Sequence, residues 1–295
     1  KTLFPYTTLF RSQKWEFGIC AVFKNESRYL CEWLEFHALV GVDHFFLYDD
    51  ASTDDFMTVL QPWIDRGQVT LRPAKGHRQK RIYNHCLRHG ANKCRWIAFI
   101  DIDEFLFSPE RKLLPDTMKR YDSVPAVFVQ WILFGSNGHQ QPPSGGTLDN
   151  YTKSLGLEGS INDDFVNGKG GPKSQYVTGW ARDGKSIVNP RAVIEMGIHI
   201  PHQMAWGTVV NESFGPGIPK TDPRTPFSCD ILRINHYWSR SRDELTAKLL
   251  RGTVSTKSRG KNSLERSLHR ETLLNLVDDR LILEVRDALR SAQDD

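Results

Sequence analysis

The sequence predicts an α/β fold in which helices flank a mostly parallel central sheet. Short apolar, β-prone segments alternate with amphipathic helical segments along residues 17–100, and polar residues follow the ends of several apolar segments. Strands that alternate with helices favour a parallel sheet with right-handed crossovers. Because ligands bind beyond the carboxyl ends of such strands, the same pattern predicts a binding crevice lined by those polar residues.

The first part of the chain contains four predicted strands separated by helical segments. The strands are Phe17–Phe23, Phe45–Tyr48, Val69–Leu71 and Trp96–Ile100. Between them, apolar residues recur at intervals of three and four, which is the period of a helix with one packed face. Gly41, Gly67 and Gly90 follow these segments as helix stop signals. The resulting order is β-α-β-α-β-α-β.

The second half of the chain has a less regular pattern. It predicts strands over residues 124–134, 187–193 and 231–238, and loops with one short strand at most over residues 135–185. A capping box at Ser241 opens a helix that stops at Gly252. An apolar stripe predicts a last helix with one packed face; its members are Leu274, Val277, Leu281, Val285 and Leu289.

The domain organisation can be inferred from these elements. Residues 1–13 do not fit the pattern of the adjoining α/β region, and we expect them to be a non-native leader. We expect a single α/β domain over residues 14–252, with residues 253–295 as a helical extension packed on the same domain.

Composition and charge exclude some classes of protein. The chain has 295 residues, of which 39% are hydrophobic and 25% charged, with a formal net charge of +4. The basic residues are scattered apart from a cluster at residues 78–81, which argues against nucleic acid as a partner and suits a small anionic ligand. No apolar run approaches the roughly 18 residues of a membrane span. The five cysteines lack a C-x-x-C spacing and predict free thiols in a reducing compartment.

Three acidic residues interrupt the apolar segment W-I-A-F-I-D-I-D-E-F-L-F at residues 96–107. In an extended chain, Asp101 and Asp103 would point to the same side, while Ile102 would point into the core. Two carboxylates directed into one crevice repel each other unless a cation lies between them. Oxygen ligands of this kind suit Mg²⁺, Mn²⁺ or Ca²⁺. The alternatives to a functional metal site are a strand end with solvated acids and a purely structural ion.

Several segments together resemble one family of enzymes. Residues 20–54, the D-x-D at Asp101–Asp103, and the later blocks F-G-S-N-G-H, K-S-I-V-N-P, G-I-H-I-P-H and N-H-Y-W-S-R-S-R-D-E-L resemble GT-A glycosyltransferases of the family 2-like and family 92 types. The resemblance implies a Rossmann-like GT-A fold. It also implies transfer of a sugar from a nucleotide-sugar donor, UDP-linked by expectation, to a glycan, lipid-linked glycan or other hydroxyl acceptor, with inversion, in polysaccharide biosynthesis.

The resemblance assigns roles to individual residues. It implies that the base and ribose of the donor are held by Asn25, Glu26, Asp49 and Asp50. It also implies that Mn²⁺ or Mg²⁺ is held by Asp101, Asp103 and His236, with Asp101 contacting the ribose as well. Lys248 and Arg251 follow His236 and could neutralise the diphosphate, and Arg81 near the start of the third helix could meet phosphate. The alternative for His236 is a core histidine whose hydrogen bonds are satisfied within the protein. The alternative for Arg81 is a position on a solvated face.

The catalytic base stays open among several carboxylates. Inversion requires a base that deprotonates the acceptor hydroxyl as it attacks. The candidates are Glu104, Asp149, Asp163, Asp164 and Glu195. Aromatic and histidine side chains could form the acceptor side, since sugars stack on aromatic faces; they are Trp131, Phe134, His139, Trp180, His199, His202 and Trp206.

Two alternative functions and a location complete these expectations. A GT-A-like protein that binds nucleotide or glycan without turnover is one alternative, and a nucleotidyltransferase is the other. The second is disfavoured because residues 20–25 contain no glycine-rich phosphate loop. We expect a cytoplasmic enzyme, peripherally associated with the inner membrane face, or a Golgi-lumenal one if the native N-terminus carries an anchor.

Overall fold

The computed structural model describes residues 13–156, 183–217, 227–251 and 261–294. The strands within these ranges are β1 Trp15–Phe23, β2 His44–Asp49, β3 Val69–Pro73, β4 Cys94–Phe99, β5 Glu104–Phe107, β6 Ala126–Leu133, β7 Lys153–Ser154, β8 Gly184–Val188, β9 Val193–Met196, β10 Pro201–Met204, β11 Val209–Asn211, β12 Arg233–His236 and β13 Val277–Asp278. The helices are α1 Ser27–Leu39, α2 Phe56–Asp65, α3 Gln79–Gly90, α4 Leu114–Met118, α5 Thr147–Asn150, α6 Arg242–Arg251, α7 Lys261–Thr272 and α8 Leu281–Asp294.

A nine-stranded sheet in the order β3-β2-β1-β4-β8-β6-β12-β5, with β11 beside β6, forms the centre of the molecule. The neighbours among β3, β2, β1 and β4 are parallel, which confirms the predicted β-α-β-α-β-α-β unit. β8 is antiparallel to both β4 and β6, so β6 and its parallel neighbour β12 run in the direction of β4. The carboxyl ends of β1, β2, β4 and β12 therefore lie at the same edge of the sheet.

The two faces of the sheet are both covered by helices. Along β1, Phe17, Ile19 and Ala21 join a core cluster that contains the apolar residues of α1, whereas Cys20 joins a second cluster with Ile82 of α3. This division is the two-residue alternation expected of a strand buried on both faces. The predicted α/β class, with a mostly parallel sheet between helices, is confirmed.

The predicted strand over residues 187–193 is wrong, because a turn divides it into β8 and β9. The Asn189 side-chain oxygen accepts a hydrogen bond from the Arg191 N–H at 3.0 Å, and the Asn189 carbonyl accepts one from the Ala192 N–H at 2.9 Å. Pro190 lacks the N–H that a ladder needs, and an Asn-Pro dipeptide favours turns.

The predicted last helix begins later than its apolar stripe suggests. Leu281, Val285 and Leu289 do lie on α8, but Val277 lies on β13 and is 47% exposed, while Leu274 is buried before that strand. The apolar residues before α8 continue the helical spacing of three and four by coincidence, because this part of the chain is a strand and a turn. The apolar residues of α8 belong to the same core cluster as those of α1. The prediction of loops over residues 135–185 also missed α5. The described part of that range contains the short strand β7 and the start of β8.

The cysteines are unpaired, as their spacing predicted. All five are free thiols, and Cys31 is the exposed one among them. No helix within the described ranges combines the length and apolarity needed to cross a membrane.

Two buried side chains of α1 hold β5, the strand that follows the acidic segment. The Trp33 indole N–H donates to the Glu104 carbonyl at 2.8 Å. The Leu106 N–H donates to His37 Nε2 at 3.1 Å, and His37 Nδ1 lies 2.8 Å from the Trp33 carbonyl. His37 is therefore neutral, with its proton on Nδ1. Burial lowers its pKa from 6.5 to about 3, against the opposing effect of the hydrogen bond to Trp33.

We predict that His37 makes stability depend on pH. The unfolded chain binds a proton at His37 below pH 6.5 and the folded chain does so only near pH 3, so this contribution is complete above pH 6.5 and is lost as the pH falls. Between those limits, the free energy of unfolding should fall by up to about 1.4 kcal/mol per pH unit more in the wild type than in His37→Gln. Urea denaturation across this range measures the difference, and equal slopes would contradict it.

Candidate functional site

The acidic segment forms a tight turn between β4 and β5. The Glu104 N–H donates to the Asp101 carbonyl at 3.1 Å, and the Asp101 N–H donates to Glu104 Oε2 at 2.9 Å. The expectation that Asp101 and Asp103 share one side of an extended chain is therefore wrong, because residues 101–103 turn and do not extend. Each of the two aspartates has its own cationic partner.

Asp101 faces β8 and α3. Its Oδ2 lies 2.7 Å from the Lys185 ammonium, and its Oδ1 accepts hydrogen bonds from Gln79 at 2.7 Å and from the Tyr83 hydroxyl at 3.2 Å. Burial acts to lower the pKa of Lys185, but Asp101 and Glu104 raise it above its ordinary value. Lys185 is therefore a buried ammonium held charged by two carboxylates, and Asp101 keeps about a third of its side chain exposed.

Asp103 faces α6. Its Oδ2 lies 2.5 Å from the Lys248 ammonium and 3.7 Å from His236 Nε2. Burial opposes ionisation of this carboxyl, but Lys248 and His236 hold its pKa well below the usual range. The backbone is also fixed here, because the Tyr237 N–H donates to the Asp103 carbonyl at 2.8 Å. Asp103 is thus an ionised carboxylate at neutral pH.

Glu104 lies beneath the turn and is fully buried. Burial raises its pKa well above the usual range, which Lys185, 3.7 Å from Oε1, opposes and the two neighbouring aspartates reinforce. His236 Nδ1 lies 3.8 Å from the same oxygen. The register of the antiparallel β12–β5 pair causes this contact, because it sets His236 opposite Glu104. A carboxylate without exposed surface does not face an acceptor in this structure.

Asp103, Glu104 and His236 could together hold a metal ion. Each offers one ligand atom, and these atoms lie within 4.8 Å of one another. Glu104 Oε1 and His236 Nδ1 are buried and have no hydrogen-bond partner in the part of the chain that the structure describes. Two carboxylates and one imidazole are a donor set that fits Mn²⁺. The third predicted ligand, Asp101, lies outside this group.

A cavity of about 140 Å³ opens beside Asp103. Its lining residues are Asn25, Glu26, Tyr29, Asp103, Tyr237, Trp238, Ser239, Arg240, Glu244, Ala247, Lys248 and Arg251. The structure thus brings the predicted residues Asn25, Glu26 and Lys248 together with Asp103, as expected if strand ends converge. Arg240 organises this wall: its Nη1 lies 2.7 Å from Glu26 Oε2, and its guanidinium lies 3.5 Å above the Tyr29 ring centroid.

The predicted residues at the end of β2 brace the backbone of neighbouring loops. Asp49 Oδ1 accepts the Ser52 N–H at 2.8 Å, and Asp50 Oδ1 lies 3.4 Å from the Gly76 nitrogen. Asn25, at a φ of 55°, accepts the Thr53 N–H at 2.7 Å and so ties the end of β1 to the loop after β2. Asp49 and Asp50 do not line the 140 Å³ cavity, whose lining includes Asn25 and Glu26.

Other predicted residues lie away from the acidic turn. Arg81 lines a separate cavity of about 240 Å³ at the ends of β2 and β3. Glu195, on β9, pairs with Lys80 at 2.5 Å, and Asp149 pairs with Arg286 at 3.0 Å. Asp163, Asp164 and Trp180 lie outside the described residues.

Sequence reasoning missed two cations that the site depends on. Lys185 opens the block K-S-I-V-N-P, but nothing local indicates that its ammonium reaches Asp101, which is 84 positions away. Arg240 stands in the block with His236, Lys248 and Arg251, but nothing local indicates that it reaches back to Glu26.

Comparison with known proteins places this chain in a family. The profile of glycosyltransferase family 92 matches residues 15–281, which include the acidic turn, His236 and Lys248. The chain belongs to glycosyltransferase family 92. The family that the sequence motifs predicted is therefore confirmed.

Curated relatives from plants agree with the family assignment. A glycosyltransferase family 92 protein of Oryza sativa subsp. japonica is 31% identical over 156 residues, which are 51% of this chain and 26% of that protein. A galactan beta-1,4-galactosyltransferase of Arabidopsis thaliana is 25% identical over 216 residues, which are 68% of this chain and 39% of that protein. The matches thus span well under half of these relatives' own length.

Solved structures resemble parts of this family 92 chain. TarS of S. aureus, residues 1–349, is 13% identical with a TM-score of 0.38, covering 59% of this chain and 47% of that one. The glucosyl-3-phosphoglycerate synthase of Mycobacterium tuberculosis, solved with Mn²⁺, UDP and glucosyl-3-phosphoglycerate, is 14% identical with a TM-score of 0.32, covering 61% of this chain and 58% of that one.

We predict that Lys185→Met destabilises the fold by about 3–5 kcal/mol, because it leaves the buried Glu104 and the partly exposed Asp101 without their cation. Adding Glu104→Gln to this variant should recover part of the loss. Lys112→Met is the matched control: Lys112 is about half exposed and pairs with Glu110 at 3.0 Å, and exposed pairs contribute about 1 kcal/mol at most.

Chemical denaturation of the three variants measures these differences in the free energy of unfolding. Equal stabilities for Lys185→Met and Lys112→Met would contradict the structural role assigned to Lys185.

Proposed function

We propose that this family 92 glycosyltransferase moves a sugar from a UDP-linked donor to a hydroxyl group of a glycan, with dependence on a divalent cation and inversion at the anomeric carbon. One observation carries the proposal. The group of Asp103, Glu104 and His236 lies beside a cavity whose wall also contains Lys248 and Arg251. Cation-binding side chains next to lysine and arginine suit a nucleoside diphosphate.

The donor sugar is proposed from the relatives. Several of them are named galactan beta-1,4-galactosyltransferases, which supports UDP-galactose as the first donor to test and a β-linked galactan as the first acceptor. The matched share of those proteins is 20–39% of their length, so both remain proposals for this chain.

The diphosphate would lie against the cavity wall formed by α6. Lys248 and Arg251 are one helical turn apart and both line the cavity, so their charges can act on the same anion. Lys248 neutralises Asp103 when no ligand is present and would turn to phosphate oxygens when a cation takes its place at the carboxylate. Arg240 is held by Glu26 and Tyr29 and supplies a fixed positive charge at the same wall.

The cation would be held by Asp103, Glu104 and His236. When bound, it supplies Lewis-acid stabilisation of the leaving diphosphate oxygens. The protein keeps this group ready, because Asp103 is ionised and its backbone is fixed by Tyr237. Asp101 is proposed to contact the ribose, since a third of its side chain is exposed and its other contacts hold it in place.

We predict that Asp103→Asn lowers transfer from UDP-galactose by at least about 100-fold, because the variant loses a charge that both binds the cation and opposes Lys248. Asp122→Asn is the matched control, since Asp122 forms an exposed ion pair with Arg95 and does not line the cavity. Release of UDP and of labelled product should be measured over a panel of sugar nucleotides, with and without Mn²⁺.

Three outcomes distinguish the possible functions. Transfer that requires a cation and is lost in Asp103→Asn supports the proposal. Binding of UDP without hydrolysis or transfer, over the whole panel, would favour a nucleotide- or glycan-binding protein that has lost turnover. Equal activity of Asp103→Asn and Asp122→Asn would contradict the proposed site.

A further inference from the structure

His199 lies in the turn between β9 and β10, and its backbone is attached to β8. The Gly197 N–H donates to the Ile200 carbonyl at 2.9 Å, which closes the turn. The Ser186 hydroxyl of β8 donates to the His199 carbonyl at 2.7 Å. The position of His199 is therefore set by the same strand that carries Lys185.

The His199 ring forms a pair with Asp183. Its Nδ1 lies 2.8 Å from the Gly184 carbonyl and 3.3 Å from Asp183 Oδ1, and the Asp183 side chain is almost fully buried. Both neighbours of Nδ1 are acceptors, so Nδ1 carries the proton and Nε2 carries the lone pair. About a third of the His199 side chain is exposed. The arrangement fixes the tautomer of a ring that keeps part of its surface exposed.

This pair lies next to the acidic turn. The edge of His199 packs on Trp131, with ring centroids 5.6 Å apart, and Trp131 packs on His236 at 4.5 Å. The neighbouring Lys185 binds Asp101. The cavity lined by Lys248 and Arg251 contacts the turn through Asp103, and His199 is not among its lining residues. His199 therefore lies outside the proposed diphosphate wall, and Trp131 lies between it and His236 of the proposed cation site.

The carboxylates predicted as the base are placed less favourably within the described ranges. Glu104 is fully buried, and Asp149 and Glu195 form ion pairs with Arg286 and Lys80. An inverting transfer needs a base on the face of the sugar opposite the leaving phosphate. His199 lies outside the cationic wall, keeps about a third of its side chain exposed and has an unprotonated Nε2.

We propose that His199 is the general base of the transfer and that Asp183 is a positioning residue that orients its ring. In this step, the acceptor O–H bond breaks and its proton moves to His199 Nε2. The acceptor oxygen forms a bond to the anomeric carbon, and the bond from that carbon to the phosphate oxygen breaks with its electron pair leaving on UDP. The inference rests on the proposed function. Burial lowers the pKa of His199, so the ring is neutral and can accept a proton at pH 7.

The test compares His199→Gln with His269→Gln, a matched control because His269 is exposed on α7, outside the site. We expect kcat for transfer to fall by about 100-fold or more in His199→Gln, as is typical for loss of a general base. The KM for the UDP-linked donor, and the thermal stabilisation by UDP with Mn²⁺, should stay within about twofold of the wild type, because His199 does not line the diphosphate wall.

Two further variants separate proton transfer from structural support. His199→Ala should regain part of its kcat when imidazole is added, which a purely structural residue would not do. Asp183→Asn should lower kcat with little change in the donor KM, because an amide no longer fixes the tautomer that leaves Nε2 unprotonated. The anomeric configuration of the product, read by NMR, should be inverted.

The outcomes that overturn the inference are distinct from those that overturn the proposed function. A kcat of His199→Gln within about threefold of the control, loss of UDP binding in step with loss of kcat, or a retained anomeric configuration would each exclude this base. Absence of sugar transfer by the wild type over the whole donor panel would overturn the proposed function, and this inference with it.

Discussion

The whole site depends on how four consecutive residues containing three carboxylates are kept together at the edge of a buried sheet. Carboxylates taken out of water are costly unless cations or hydrogen bonds compensate them. Here the compensation comes from distant strands and helices: Lys185 on β8 binds Asp101 and approaches Glu104, and Lys248 on α6 binds Asp103. The fold brings these cations to the acidic turn, and the resulting ion pairs connect that turn to β8 and α6.

The same arrangement gives the three acids different environments. Asp103 is ionised and borders the cavity, so it is the carboxylate that can exchange Lys248 for a ligand. Glu104 is buried, with its pKa raised, and acts on the site through His236 and Lys185. Asp101 is partly exposed, and its carboxylate is held by Lys185, Gln79 and Tyr83. The candidate site thus needs elements from both halves of the chain.

Sequence reasoning predicted the parts of the fold and site that depend on local pattern. The strands β1 to β4 and helices α1 to α3 could be predicted because each has its own period and stop signal. Asp103 and His236 could be singled out because they stand in blocks with a family resemblance, and Lys248 because it follows His236 closely. The pairings of Lys185 and Arg240 could not be predicted, although both residues stand in such blocks, since a pairing across 84 or more positions leaves no local trace. The turn at Asp101 was mistaken for an extended chain because alternation alone does not reveal the Glu104–Asp101 backbone bond.

Direct binding of Mn²⁺, followed by electron paramagnetic resonance, tests the central claim most directly. The account predicts that the wild-type chain binds a single Mn²⁺, that UDP tightens this binding, and that Asp103→Asn abolishes it while leaving the fold intact. Absence of bound Mn²⁺ in the presence of UDP, or equal binding by the wild type and Asp103→Asn, would contradict it.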